Sequence, residues 1–196
     1  MGCDIHAYKE KLVDGKWVTA DEWVPFDYGD EPEDKGIKVP WEQRFTERDY
    51  QLFGLLSNGV RTEHEFSFEP RGIPFNASKE VRDEIERWDC DGHSHSYLYL
   101  FELKEMRAHL DKEIILISGV MRNEQWAQLK ASIDAGSPNY ELLFPYSHWC
   151  SDEVNYSPFE IDVPAAFYMG AGLDKLISHF DGVDGENQRL VFFFDN

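Results

Sequence analysis

The chain has 196 residues, 42% apolar and 15% aromatic, enough to bury a core in a single domain spanning 1–196. Acids outnumber bases 38 to 19, a formal net charge of −19; such a surface repels nucleic-acid phosphates and argues against direct DNA or RNA binding. No run approaches the ~18 apolar residues of a membrane span, no basic-then-apolar leader opens the chain, and Cys3, Cys90 and Cys150 are too few and too scattered for a disulfide framework, which fits a reducing cytoplasm.

In chain order, Cys3 to Leu12 reads as a strand. It is followed by a hairpin at Asp14-Gly15, a dipeptide that accepts the positive φ of a tight turn. Asp4 and His6 share one face of that strand. Asp21 to Pro40, rich in acids, Gly and Pro, reads as a loop, with Asp27, Asp30, Glu31, Glu33 and Asp34 as a solvated charge run. Thr46 to Ser57 reads as a helix capped by Thr46, with Tyr50, Phe53 and Leu56 on its buried stripe and Asn58-Gly59 as its stop. Arg61 and Arg71 lie in the irregular segment beyond, where Pro70-Arg71-Gly72-Ile73-Pro74 is a stiff turn. Either planar guanidinium can bind an anionic substrate; pairing with a carboxylate is its commoner use.

Ser78 caps a helix over Lys79–Trp88, with Val81, Ile85 and Trp88 facing the core. Cys90, with no basic neighbour to lower its pKa, reads as a small buried residue. Asp91-Gly92-His93-Ser94-His95-Ser96 then concentrates two of the seven histidines. In an extended segment, residues i and i+2 face the same side with Cα atoms about 6.6 Å apart, so both imidazoles can meet one ion. Leu100–Leu110 reads as a helix, Glu113–Gly119 as either a short buried strand or the start of a helix, its β-branched content leaning it toward strand, and Arg122–Ala135 as a helix with Trp126, Leu129 and Ile133 inward. Tyr146–Cys150 reads as loop packing that can set His148 and Cys150 on one face. Phe159, Ile161 and Val163 alternate as a strand, and Ala171–Phe180 is an amphipathic helix. Leu190-Val191-Phe192-Phe193-Phe194 has no polar face, which places Arg189–Asp195 centrally in a sheet, with Asp195 at its end where a carboxylate can reach a site. These elements predict an α+β domain: a mostly antiparallel sheet with an N-terminal hairpin, packed by about four helices.

Met1-Gly2-Cys3-Asp4-Ile5-His6, Tyr50-Gln51-Leu52-Phe53, Pro70-Arg71-Gly72, the Asp91–Ser96 block and the closing Phe194-Asp195-Asn196 together resemble a family of uncharacterised bacteriophage and bacterial proteins. The resemblance spans both ends and the middle of the chain. Asp49 stands where that family's pattern has Asn, and Tyr97 where it has Trp. The resemblance implies a protein working in a bacterial cytoplasm and carries no residue role with it.

From the residue types alone, the expected activity is metal-dependent hydrolysis of a small phosphoester or nucleotide-like substrate. Asp4, His6, His93 and His95 are the expected ligands of a divalent ion such as zinc, and Asp91 is the base for a metal-bound water or a further ligand, between which spacing does not decide. Arg61 and Arg71 are the candidate substrate-binding residues. The competing expectation is a non-enzymatic acidic phage protein that binds and inhibits a host protein.

Overall fold

The computed structural model describes residues 2–29, 35–144, 154–180 and 185–195. Within the chain, Asp30, Glu31, Glu33 and Asp34 of the expected charge run, His148, Cys150 and the terminal Asn196 lie outside the described residues. The fold is α+β, and all of its strand pairs are antiparallel. The chain gathers into two compact units, residues up to Arg107 together with those from Gly172, and Ala108–Ala171. No helix among the described residues is long and apolar enough to cross a membrane.

The larger unit is built on a four-stranded sheet. Its strands are β1 (Asp4–Val13), β2 (Lys16–Thr19), β5 (His93–Tyr99) and β8 (Gln188–Asp195), in the order β2-β1-β8-β5. The hairpin forms at Asp14 and Gly15, whose φ values of +49° and +75° suit their types. β8 is internal and its residues from Arg189 to Phe194 are all buried, the expected outcome for a strand without a polar face. On one face Val191 and Phe193 join Tyr8, Val39, Val81 and Ile85 in a core closed by α2 (Lys79–Trp88). On the other, Phe194 meets Phe53 of α1 (Tyr50–Leu56) at 5.1 Å between ring centroids.

Several details differ from expectation. α1 begins at Tyr50, because Asp49, not Thr46, caps it: Asp49 Oδ1 accepts from Gln51 N at 3.0 Å and Leu52 N at 3.1 Å. Ser78 makes no side-chain cap on α2; its backbone N instead donates to buried Glu10 Oε1. Cys90 is exposed, since the 3-10 turn Asp89–Asp91 carries it out of the α2 core stripe. The stretch read as a loop holds a two-stranded ribbon, β3 (Val24–Asp27) with β4 (Lys35–Lys38). Arg71, by contrast, takes the commoner of its two expected uses, pairing with a carboxylate. Its guanidinium forks onto Glu102 at 2.8 and 2.7 Å, while Gly72 N donates to His95 O at 2.9 Å and covers the outer edge of β5.

The smaller unit is a long ribbon, β6 (Ile114–Arg122) with β7 (Tyr156–Pro164), on which α4 (Asn123–Asp134) lies. Ile117, Met121, Leu129, Phe159 and Val163 form its core, with Trp126 and Ile133 at the margin. The helices α3 (Leu100–Leu110) and α5 (Ala165–Ser178) complete the chain; α5 starts directly after Pro164, six residues before the expected Ala171.

At the centre of the larger unit, Glu10 and Arg189 are 0% and 1% exposed and sit opposite each other on β1 and β8. Arg189 Nε donates to Glu10 Oε2 at 2.7 Å, its other nitrogens reach Asn76, and Trp17 covers the guanidinium at 4.1 Å. Removing one partner leaves the other charge buried. Glu10→Gln or Arg189→Met should therefore lower stability in urea unfolding by about 3–5 kcal/mol, and the paired replacement by clearly less than the sum of the two.

Candidate functional site

β1 carries Asp4, His6 and Tyr8 on successive same-side positions, and antiparallel pairing sets Asp4 opposite Asp195 and His6 opposite Phe193. The end of β8 thereby delivers the Asp195 carboxylate to the His6 imidazole: Nε2 lies 3.3 Å from Oδ2, in ion-pair reach but off the line of a good hydrogen bond. Such pairs are often loose before a ligand arrives. Asp195 Oδ1 accepts from Asp4 N at 3.0 Å, which fixes the carboxylate. His6 Nδ1 has no protein partner among the described residues.

A cleft of about 490 Å³ opens over this pair, walled by Trp41, Phe45 and Trp88 and carrying Arg44 and Arg48. Trp41 is 68% exposed. Arg48 forks onto Asp4 at 2.8 and 2.5 Å, holding the Asp4 carboxyl below its usual range. Arg44 is held by Nε, which donates to Val39 O at 2.7 Å; among the described residues its terminal guanidinium nitrogens take no partner. Burial pushes the His6 pKa down from the usual 6.5, and the Arg44 charge adds to that; Asp195 works in the opposite direction. Behind the wall, Glu84 accepts from Tyr8 Oη at 3.1 Å and Trp88 Nε1 at 3.3 Å and pairs with Arg87.

The expected ligands are divided by the sheet. β5 pairs His93 with Phe194 and Ser96 with Phe192, so Ser94 and His95 together oppose Phe193: a β-bulge, with Ser94 at φ +51°. The bulge cancels the i, i+2 relation. His93 stacks on Phe194 and His95 on Phe193, which occupy opposite faces of β8. His95 does share a face with His6, yet both stack on Phe193, at 5.3 and 4.7 Å, from the strands on either side of it. Two strand spacings of about 4.8 Å and a phenyl ring thus separate them.

His93 lines a second pocket of about 310 Å³ with Cys3, Arg61 and Ser94. There Arg61 donates to Gly2 O at 2.8 Å, and burial pushes the Cys3 thiol pKa up. Asp91 is exposed in its 3-10 turn and lines neither pocket. Among the described residues, no three His, Cys, Asp or Glu side chains gather as ligands for a metal ion. Trp41, Arg44 and Arg48 were missed by sequence reasoning because they meet His6 only through the fold. The legible signal was two arginines and a tryptophan within eight residues after Pro40.

His6 and His95 are both held below 6.5, each chiefly by burial, with the His93 charge contributing at His95. The unfolded chain protonates at the usual value, so below it the unfolded state binds more protons than the folded one. This stabilising contribution is complete above pH 6.5 and is lost as pH falls from there through the lower folded pKa values. Urea midpoints should therefore stay level near about pH 8 and drop toward about pH 5, and His95→Gln should flatten that slope.

Comparison with protein families, curated proteins and solved structures gives no match, so the functional reading rests on this geometry.

Proposed function

We propose that the protein hydrolyses a small phosphoester in the cleft above His6 and Asp195. The observation that carries this is the His6–Asp195 pair set in a walled cleft beside an Arg44 fork with open donors. Arg44 would hold the non-bridging phosphate oxygens. His6 Nδ1 would take a proton from a water as its oxygen bonds to phosphorus and the ester P–O bond breaks, and would return that proton to the departing alkoxide. Asp195 would hold the ring and stabilise the imidazolium. A divalent ion, the cofactor expected from the sequence, would here find His6 and Asp195 as neighbouring protein donors and draw the rest of its shell from water and substrate. The resemblance to phage and bacterial proteins supports a reading in which this work would be done in a bacterial cytoplasm.

With 4-nitrophenyl phosphoesters as substrates, His6→Gln should lower kcat/KM by about 100-fold or more, and Asp195→Asn should also lower it, with the fold retained by circular dichroism. Since the neutral imidazole is the active form, kcat/KM should fall in acid with a midpoint below 6.5 and level off above it. Unchanged turnover in His6→Gln would remove the assignment. The net charge of −19 favours a second reading, an acidic protein that binds and inhibits a host factor. On that reading His6→Gln leaves the biological effect intact, while neutralising surface acids abolishes it.

A further inference from the structure

Of the two arginines that line the cleft, one has a carboxylate partner among the described residues and one does not. Arg48 is forked onto Asp4, Arg87 is paired with Glu84 behind the wall, and Asp195 is occupied by Asp4 N and His6. Arg44 is the guanidinium left without a carboxylate partner among the described residues. It lines the same cleft as the exposed Trp41 and as Trp88, whose indole N–H is already spent on Glu84. Trp88 therefore offers a ligand apolar surface but no donor. The chain as a whole carries −19, so each further negative charge on a ligand meets repulsion that this one fork cannot offset. A cleft of about 490 Å³ has room for an aromatic group beside a phosphate.

We infer that the ligand is a singly charged phosphodiester bearing a planar aromatic group, such as a nucleoside aryl phosphate, with its phosphate on Arg44 and its ring against Trp41. This rests on the reading of the cleft as the substrate site and narrows it: monoesters, which are dianions near neutral pH, and non-aromatic diesters are disfavoured. Selectivity arises from two separate features. The unmatched guanidinium sets the charge, and the indole sets the shape, because stacking on an aromatic wall tolerates any base.

The test is calorimetric titration of the intact protein at about pH 8, where a monoester is a dianion, with three probes: the 4-nitrophenyl ester of thymidine 5′-phosphate, thymidine 5′-phosphate itself, and dimethyl phosphate. The aryl ester should bind about tenfold or more tightly than either of the others. Arg44→Gln should weaken it by about tenfold, and Trp41→Ala should weaken it while leaving dimethyl phosphate unchanged. Arg61→Gln, in the other pocket, should have no effect. In NMR titration the His6 imidazole should protonate at higher pH when the aryl ester is bound, because an anion then faces Arg44. Equal or tighter binding of thymidine 5′-phosphate, equal binding of dimethyl phosphate, or full affinity in Arg44→Gln overturns the inference. An aryl ester that binds with these preferences but is never turned over sinks the hydrolase and leaves the ligand class standing; turnover without the preferences does the reverse.

Discussion

The fold turns on one buried ion pair. Glu10 and Arg189 face each other across β1 and β8 with essentially no exposure, and the register they fix runs on to set His6 against Phe193 and Asp4 against Asp195. A slip of one residue would turn His6 to the opposite face and strand two charges in apolar surroundings, so the pair excludes alternative pairings more firmly than apolar contacts alone can. Arg189 also binds Asn76 and lies under Trp17. One guanidinium thus ties together the hairpin, the segment leading into α2 and the central strand. The site at the far end of β1 inherits its geometry from this lock, although no atom of the lock touches it.

What could be seen in the sequence was what short range determines. The Asp14-Gly15 hairpin, the apolar run of β8 and the stripe of α2 each carry their signal within a few residues, and each stands where expected. The β3–β4 ribbon was hidden because its strands are four residues long and mostly exposed, so they lack a strong alternation. The bulge at Ser94 was hidden for a different reason: the residue taking φ +51° is a serine, where glycine would have advertised it. Arg44 and Trp41 belong to no local pattern at all; their meaning depends on β1 lying beneath them. Asp195 was legible as a carboxylate at a strand end, but not as the partner of His6.

The sheet uses Phe193 and Phe194 as partitions. His6 and His95 stack on either side of the first, His93 on the second, and the Nε2 atoms of His93 and His95 are buried without hydrogen-bond partners among the described residues. Leaving polar atoms in this state costs about 1–3 kcal/mol each. Stacking against an aromatic face recovers part of that. Of the three, His6 is the one with both a carboxylate neighbour and an adjoining cleft of substantial volume among the described residues, which is what favours it in the proposed function.

A near-neutral cleft inside so acidic a molecule has a kinetic consequence. On the proposed reading, an anion approaching it would be slowed by the field of the whole surface and held only at the last few ångströms, by Arg44. Added salt screens the distant repulsion over a Debye length of about 10 Å while acting less on the close contact. Association of an anionic ligand should therefore quicken with ionic strength, the reverse of electrostatically steered capture. On that reading the surface would act as a filter on charge number during encounter, before any atom of the cleft is touched.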